Sequence, residues 1–347
     1  MLRRRWLSMM IASLEAEEKI ASVLEKSIFA RLGVKARHLG HSVQPMPSSN
    51  PRRSYYIYSF DIGGEQPFEL FVKCGPSAVK NSQLETFVGE IRDTSFRAPR
   101  YFGAAAAKGE RFAAWELIRG SSPRFTDNLL YLERVVTAVA AANSHGKSAL
   151  DSTNLQIKNA WIAPVAQKVA EWGASQVPPM RKALRKKLEL FAEHEQHLIE
   201  RASEIDAVCL SHNDIKYENI IQSDNDPRLA IIDWASASVS IPGASLRFLG
   251  WWDESVRVAL VARYAEEMRR LGVNVSLETA LFGLNTTQVF WGLQSGVQRN
   301  NYRRIRLALT WWKPEKNTPK GYCMKPVSEQ VKAAILEFAG SKKGRVY

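Results

Sequence analysis

Cysteine is scarce in this sequence. The 347 residues include three cysteines, Cys74, Cys209 and Cys323, which lie far apart along the chain. Disulfide-dense domains and zinc sites bring cysteines into short spacings, and no such spacing occurs here. Each cysteine stands beside apolar residues, so we expect all three to fill small spaces in the core of a cytoplasmic protein.

Long apolar runs are also missing. A membrane-spanning helix needs about 18 to 20 consecutive apolar residues, and no segment reaches that length. The first residues are basic, as in a signal peptide, but the apolar stretch after them is short and ends in Glu15, Glu17 and Glu18. We therefore expect an amphipathic helix here, or an upstream start with Met9 or Met10 as the true first residue, and no transmembrane segment.

Basic residues outnumber acidic ones, and the net charge is +13. A basic surface attracts phosphorylated substrates, nucleic acid or anionic lipid, and it also keeps a protein soluble. The basic residues are spread along the whole chain, which favours solvated helix faces as their explanation. No nucleic-acid-binding motif accompanies them, so we expect no specific nucleic-acid partner.

Hydrophobic periodicity divides the chain into a sheet-rich part and a helical part. An opening helix is predicted over residues 11–30, and the Gly-, Pro- and Ser-rich segment 40–54 is predicted to be a loop. Four β-rich runs follow, with one helix among them, and helical patterns dominate from about Asn128. We predict an α+β fold with an antiparallel sheet lobe over residues 1–118, and a mainly helical lobe over residues 119–347.

A short segment of the helical part carries many polar residues between apolar runs. Residues 211–234, SHNDIKYENIIQSDNDPRLAIIDW, predict a β-hairpin with the strands ENII and LAIID. The polar residues could be an ordinary solvated loop, since Asp and Asn are common in turns. Phosphoryl transfer, however, needs a carboxylate to accept a proton, oxygen ligands for Mg²⁺ and a cation for the phosphate charge. The segment supplies all of these groups.

HNDIKYENII resembles the kinase catalytic loop H-x-D-x(4)-N, and AIIDW resembles the metal-binding element that follows it. The resemblance extends to the aminoglycoside phosphotransferase and choline kinase group, and it implies a bilobal protein-kinase-like fold with ATP and Mg²⁺ as cofactors. It implies that Asp214 is the catalytic base, that Asn219 and Asp233 are magnesium ligands, and that His212 braces the loop. Lys216 is then close enough to reach the transferred phosphoryl group.

Upstream residues fit the same resemblance. Lys73 ends the apolar strand FELFVKCG, where a buried cation needs a partner or a phosphate. The next helix offers Glu85 and Glu90 as partners; helical periodicity does not choose between them, and the spacing of the family favours Glu85. FAAWELIRG resembles the hinge strand, where backbone groups near Glu116 and Ile118 would bind adenine, although an ordinary strand end is the alternative.

The phosphate-covering loop is where the chain departs most from the resemblance. No G-x-G-x-x-G motif occurs, and PSSNPRRS stands in its place with Ser48, Ser49 and Asn50 as candidate donors. This departure keeps open a kinase-shaped binding module without catalysis. A protein kinase is a further alternative, but Trp-Ala rather than Phe-Gly follows Asp233 and no A-P-E comes after it. A small-molecule hydroxyl acceptor is therefore favoured.

Two features concern the acceptor. FWGLQSGVQ, residues 290–298, resembles a helix of choline and ethanolamine kinases, yet Ser245 stands where that family commonly has Asp. A basic rim would repel polycationic aminoglycosides unless the pocket itself is acidic, and it would attract a sugar or an anionic metabolite. Aromatic walls around a quaternary ammonium, or alternatively core packing, would explain the C-terminal tryptophans, namely Trp251, Trp252, Trp291, Trp311 and Trp312.

Overall fold

The computed structural model describes residues 18, 20–29, 33–43, 54–75, 78, 81–107, 110–153, 162–176, 180–223 and 225–312. The chain divides into two compact units. One contains residues 1–92 and 97–120, and the other contains residues 93–96 and 121–347. The boundary predicted from the sequence was at residue 118.

The first unit contains five antiparallel strands in one sheet. They are β1 (Arg37–Val43), β2 (Ser54–Asp61), β3 (Phe68–Cys74), β5 (Tyr101–Ala107) and β6 (Glu110–Glu116), while the short β4 (Phe96–Arg97) belongs to another sheet. The strand order is β1-β2-β3-β6-β5. Four of the five were predicted, but β1 occupies part of the predicted loop at residues 40–54. Its His41 and Val43 pair with Tyr58 and Tyr56, so cross-strand pairing forms this polar strand.

The two faces of this sheet bury different residues. Successive side chains alternate between faces, and Phe60, Leu70 and Phe112 pack on one face with the helical segment 20–29. That segment is an α-helix that ends in a π-helical turn at Glu25–Phe29. Lys73 belongs to the opposite face. The helix α1 (Ser82–Glu90) packs against β5.

The second unit is mainly helical. Its helices are α2 (Leu129–Ser144), α3 (Gly146–Ser152), α4 (Ala166–Ala174), α5 (Lys182–Ser203), α6 (Glu254–Arg270), α7 (Leu277–Gln298) and α8 (Tyr302–Trp311). Asn128, Ser276 and Asn301 cap α2, α7 and α8, because each side chain accepts a hydrogen bond from a backbone N–H of the first turn. Apolar side chains of α4, α5, α7 and α8 form one core that includes Phe191 and Phe290.

Four short strands interrupt the helices. They are β7 (Cys209–Ser211), β8 (Ile220–Gln222), β9 (Leu229–Ile231) and β10 (Ser238–Ser240). β8 and β9 form an antiparallel hairpin in the register Ile220 to Ile231, which confirms the hairpin predicted from ENII and LAIID. β7 pairs with β10, and β4 completes a small sheet of order β4-β9-β8.

Cys74 and Cys209 are buried, as the sequence predicted, whereas Cys323 lies outside the described residues. Within the part of the chain that the structure describes, no helix is both long enough and apolar enough to cross a bilayer.

Candidate active site

The polar segment of the second unit connects the ends of short strands. β7 leads into residues 212–216, and a 3-10 turn at Tyr217–Asn219 leads into β8. β9 ends two residues before Asp233, and a second 3-10 turn, Trp234–Ser236, leads into β10. Because β7 pairs with β10 and β8 with β9, the segments that carry Asp214 and Asp233 lie side by side.

His212 is the buried centre of this arrangement. Its Nδ1 accepts a hydrogen bond from the Asp214 N–H at 3.3 Å, and its Nε2 donates to the carbonyl oxygen of Ile232 at 2.8 Å. The ring packs edge-on against Trp234, with ring centroids 4.8 Å apart. Burial lowers the pKa of His212, so the ring is neutral and links the Asp214 loop to the residue before Asp233.

A pH dependence of stability follows from this burial. The unfolded chain protonates His212 near its ordinary pKa of about 6.5, whereas the folded chain protonates it only at lower pH. The unfolded state then binds more protons in that window, so the free energy of unfolding falls as pH falls below about 6.5. Between pH 7.5 and 5.5 one such histidine contributes at most about 1.4 kcal/mol. Urea unfolding at the two pH values measures the change.

The variant His212→Gln should show a smaller loss of stability between these pH values than the wild type. His197→Gln is the matched control, because His197 is exposed on α5. Burial also lowers the pKa of His145, so part of the wild-type dependence should remain in His212→Gln. An unchanged pH dependence in His212→Gln would contradict the neutral, buried state of this ring.

Two residues of the segment have left-handed backbone conformations. Asn213 has φ 64° and Asp233 has φ 62°. Such φ values disfavour most side chains, but Asn and Asp tolerate them. Asn213 Nδ2 donates to the carbonyl oxygen of Ser236 at 2.9 Å and to the Ser238 Oγ at 2.8 Å. These bonds fix the loop to the chain that follows Asp233.

Asp214 is held by its own loop. Asn219 Nδ2 donates to the Asp214 carbonyl oxygen at 2.8 Å and to its Oδ2 at 3.2 Å. Lys216 Nζ lies 3.4 Å from the same Oδ2. Asp214 and Lys216 are both partly exposed, with side-chain exposures of 42% and 49%. The carboxylate therefore has a fixed position and remains accessible to solvent, as a proton acceptor requires.

Asn219 and Asp233 carry oxygen atoms of the kind that Mg²⁺ prefers. The backbone carbonyl oxygen of Asn219 accepts a hydrogen bond from the Ile232 N–H at 2.9 Å. The backbone at Asn219 therefore lies beside the residue that precedes Asp233. The Asn219 Nδ2 faces Asp214, which leaves Oδ1 as the side-chain oxygen available to a cation. No cluster of three or more His, Cys, Asp or Glu suited to a metal occurs among the described residues. This donor set fits Mg²⁺, which usually takes one or two carboxylates and keeps water ligands.

A buried polar network supports β7. Asn143 Nδ2 donates to the Leu210 carbonyl oxygen at 2.7 Å and to the Ser245 Oγ at 3.0 Å, and Asn143 Oδ1 accepts from the Tyr264 hydroxyl at 2.9 Å. Burial raises the pKa of Tyr264 well above its usual range, so its hydroxyl stays protonated and donates. Ser245 therefore keeps a structural hydrogen bond although Asp is absent.

Arg247 is a residue that sequence reasoning missed. It lies in the 3-10 helix Ala244–Trp251, and its Nη2 donates to the Asn213 carbonyl oxygen at 2.8 Å. Its Cζ lies 3.6 Å from the ring centroid of Trp291, and the Arg304 Cζ lies 4.6 Å from the same ring. The surrounding sequence, IPGASLRFL, is mostly apolar and gives no local signal that its arginine reaches the loop.

The first unit contains the predicted lysine. Lys73 is buried, pairs with Ala113 across the sheet, and has its Nζ 5.5 Å from the ring centroid of Trp115. The Trp115 Nε1 donates to the Glu85 Oε2 at 3.0 Å. Glu85 is buried whereas Glu90 is exposed. Lys73 and Glu85 thus interact with the same indole.

Adenine binding is predicted at the end of β6, where some polar groups of Glu116 already form hydrogen bonds within the protein. The Glu116 N–H donates to the Arg100 carbonyl oxygen at 2.9 Å. The Glu116 carboxylate accepts from Arg97 and, at 3.2 Å, from the Arg100 N–H. Ile118 follows the strand and is half-buried. A contact of Glu116 with a base would therefore use its carbonyl oxygen, because its N–H and side chain are occupied.

The other residues predicted to bind the nucleotide phosphates or the acceptor are the loop residues 48–50 and the C-terminal tryptophans. Ser48, Ser49 and Asn50 lie outside the described residues, as does the side chain of Trp251. Trp312 is not a pocket wall, because it is buried in the helical core against Phe191 at a centroid distance of 5.7 Å.

Comparison with known proteins identifies a family and a fold. The sequence model of the phosphotransferase enzyme family (APH) matches residues 78–272, which is more than half of the chain. A search of curated proteins returned no matching relative.

Solved structures give the same fold. Choline kinase from Cryptosporidium parvum Iowa II is similar with a TM-score of 0.58 and 15% identity, over 92% of this chain and 97% of that one. The GDP complex of a point mutant of aminoglycoside 2'-phosphotransferase-IIIa is similar with a TM-score of 0.51 and 15% identity, over 91% and 98%. The kinase-like α+β fold and the family group predicted from the sequence are confirmed.

Proposed function

Because this chain belongs to the phosphotransferase enzyme family, we propose that it is an ATP- and Mg²⁺-dependent kinase that phosphorylates a hydroxyl group of a small molecule. The observation that carries the proposal is the fixed geometry of Asp214. Asn219 orients its carboxylate, and the buried His212 binds its backbone N–H. A carboxylate fixed in this way can accept the proton of an attacking hydroxyl group as the phosphoryl group is transferred.

The other residues of the loop have complementary roles in this proposal. Lys216, 3.4 Å from Asp214, neutralises charge on the transferred phosphoryl group. Asn219 Oδ1 and the Asp233 carboxylate hold Mg²⁺, which when bound screens the negative charge of the nucleotide phosphates. His212 is a positioning residue, since its neutral ring joins the base and metal-ligand segments through backbone groups.

The first unit contributes the nucleotide contacts. Lys73 provides a cation for the phosphates, and Glu85 positions it through the Trp115 indole that both side chains contact. The carbonyl oxygen of Glu116 and the N–H of Ile118 are the proposed partners of the adenine. Ser49 remains the proposed donor in the phosphate-covering loop. The similar aminoglycoside phosphotransferase structure contains GDP. Both GTP and ATP should therefore be tested as phosphoryl donors.

A transfer assay tests the proposed function. The full-length protein is incubated with γ-labelled ATP or GTP and a panel of hydroxylated small molecules, with Mg²⁺ or with EDTA. We expect label to enter at least one acceptor, only with Mg²⁺ present, because the carboxylate and amide oxygens of the loop need the cation to hold the phosphates. Nucleotide binding is measured in parallel by calorimetry.

The two measurements separate the alternatives. Nucleotide binding without transfer to any acceptor would favour the kinase-shaped binding module. Absence of both binding and transfer would refute the proposed kinase. Transfer to a peptide hydroxyl group but to no small molecule would favour a protein kinase.

A further inference from the structure

Three arginine side chains of the second unit form a cluster beside the Asp214 loop. Arg247 donates to the carbonyl oxygen of Asn213, the residue before Asp214, and stacks on Trp291. Arg304 lies over the same indole ring. Arg299 is close enough that its charge contributes to a lower pKa of both. We call Arg247, Arg299 and Arg304 the arginine cluster.

Close backbone packing brings the cluster together. A Cβ on Gly283 of α7 would lie 1.8 Å from the Pro242 carbonyl oxygen, and a Cβ on Gly243 would lie 2.0 Å from the Ala280 carbonyl oxygen. Gly243 also has φ +87°, which few other residues adopt. Glycine at both positions lets the segment that begins the 3-10 helix lie directly on α7, so that Arg247 reaches Trp291.

The cluster concentrates positive charge beside the Asp214 carboxylate. Burial, and then the charges of Arg304 and Arg299, lower the pKa of Arg247 to about 10, while Asp214 acts in the opposite direction. Within the described residues, none of the three arginines forms an ion pair with a carboxylate. The Nη1 of Arg304 is buried and has no hydrogen-bond partner there. Arg247 and Arg304 are half-buried and Arg299 is exposed. Half-buried guanidinium groups that lack a carboxylate ion pair are well suited to bind an anion.

A neutral polar group is buried between the same two elements, α7 and the 3-10 helix. Gln288 is one helical turn before Trp291 on α7 and is 4% exposed. Neither its Nε2 nor its Oε1 has a hydrogen-bond partner among the described residues. It faces Gly250 of the 3-10 helix, since a Cβ there would lie 2.6 Å from Nε2. Buried amides normally have partners, so the Gln288 amide has a hydrogen-bonding capacity that the described residues leave unused.

Building on the proposed function, we propose that the arginine cluster and Gln288 bind an anionic group, a phosphate monoester or a carboxylate, on the hydroxylated acceptor. Arg304 and Arg247 contact the anion with guanidinium N–H groups. The planar guanidinium presents these groups at a spacing that matches the oxygens of a carboxylate or phosphate. Because Arg247 is bonded to the residue before Asp214, an anion held here brings a nearby hydroxyl group toward the proposed base.

The same geometry disfavours a cationic acceptor. A quaternary ammonium would need an open aromatic face, and the Trp291 ring already carries two guanidinium groups. A polyamine would also meet the positive charge of the cluster. Choline and aminoglycosides are therefore expected to be poor acceptors, although similar folds include enzymes with those names.

Binding of inorganic phosphate tests the cluster without a known substrate. Calorimetry is performed on the full-length protein saturated with a non-hydrolysable ATP analogue and Mg²⁺, so that the nucleotide site is filled. Arg304→Gln should weaken phosphate binding by roughly tenfold to a hundredfold, as loss of a hydrogen bond to a charged group does. Arg306→Gln, the same change at an exposed position of α8, should leave affinity within about twofold.

A matched set of acceptors then tests the chemistry. Glycerol, glycerate, glycerol 3-phosphate and choline offer hydroxyl groups with neutral, carboxylate, phosphate and cationic neighbours, and larger sugars are compared with their phosphates and acids. The anionic members should have the higher kcat/KM. A preference for phosphate over carboxylate, or the reverse, identifies which anion the cluster binds.

Failure of this inference can be distinguished from failure of the proposed function. Equal phosphate affinity of Arg304→Gln and Arg306→Gln, no phosphate binding by the wild type together with no preference for carboxylate acceptors, or better use of neutral or cationic acceptors would overturn the anionic acceptor. None of these results affects Mg²⁺-dependent nucleotide binding and transfer by the wild type. Loss of nucleotide binding itself would instead refute the kinase.

Discussion

Replacing Asp214 with asparagine is expected to lower kcat for phosphoryl transfer by about a thousandfold, within the range that a general base typically contributes. In the proposed function the carboxylate accepts the proton of the attacking hydroxyl group, and an amide cannot. Nucleotide affinity should change little, because the proposed nucleotide contacts come from other residues. The measurements are single-turnover transfer rates and calorimetric nucleotide affinity for both proteins.

The substitution should leave the loop intact. Asn219 Nδ2 can donate to an amide oxygen at position 214 as it does to the carboxylate oxygen, and its second bond goes to the backbone carbonyl oxygen. His212 binds the backbone N–H of residue 214, which the substitution keeps. The midpoint of thermal unfolding should therefore stay close to that of the wild type.

Glu218→Gln provides the matched control. Glu218 lies four residues further along the same loop and is exposed, and the substitution removes the same charge. Its transfer rate should stay within about twofold of the wild type, as for other exposed charges. Equal transfer rates of wild type and Asp214→Asn would remove Asp214 as the base. Equal losses in both variants would mean that net negative charge, and not a proton acceptor, is what matters.

The sequence predicted those parts of the fold whose signals are local. The hairpin that carries Asn219 needed only two apolar runs and a polar turn, and the helices of the second unit follow from periodicity. The resemblance of the same segment to a kinase catalytic loop made Asp214 and Asp233 candidates for the base and a metal ligand. His212 could be named from the resemblance, but its two hydrogen bonds depend on the pairing of strands that are separated in sequence.

Residues that depend on long-range pairing could not be predicted. β1 is polar and becomes a strand because β2 pairs with it, so His41 and Val43 gave no strand signal of their own. The choice between Glu85 and Glu90 requires the register that puts Lys73 and Trp115 on one face of the sheet. Arg247 reaches Asn213 only because glycines allow its segment to pack directly on α7.

The tryptophans show why composition alone misleads. Their number and spacing are compatible with an aromatic cage and with a core. Trp312 is core, and Trp291 stacks with arginines, so the resemblance to choline kinases holds for the fold but not for an open face on this ring. What distinguishes the two cases is the partner of each ring, which comes from helices distant in sequence.

The second large effect is expected from Asp233→Asn, which should weaken the binding of Mg²⁺. Outer-shell partners of a metal site alone change metal affinity by about 10–100-fold. Loss of a direct carboxylate ligand should therefore raise the Mg²⁺ concentration for half-maximal transfer by at least about a hundredfold. The measurement is the transfer rate as a function of free Mg²⁺ at saturating ATP, for both proteins.

Asparagine is the informative replacement because of the backbone at this position. Asp233 has φ 62°, and asparagine tolerates left-handed conformations better than other residues with a Cβ. Asp233→Ala would combine loss of the ligand with backbone strain of about 1–2 kcal/mol. Asp233→Asn should therefore remain folded while it loses metal affinity, and the difference in stability between the two variants measures the backbone contribution separately.

Asp253→Asn is the control, since Asp253 is an exposed carboxylate before α6 and its replacement removes the same charge. Its Mg²⁺ dependence should match that of the wild type. If Asp233→Asn shifted the Mg²⁺ dependence no more than Asp253→Asn, Asp233 would not be a metal ligand. A lower maximal rate with an unchanged Mg²⁺ dependence would instead assign Asp233 to the support of the Asp214 loop, because His212 joins the two segments through Ile232.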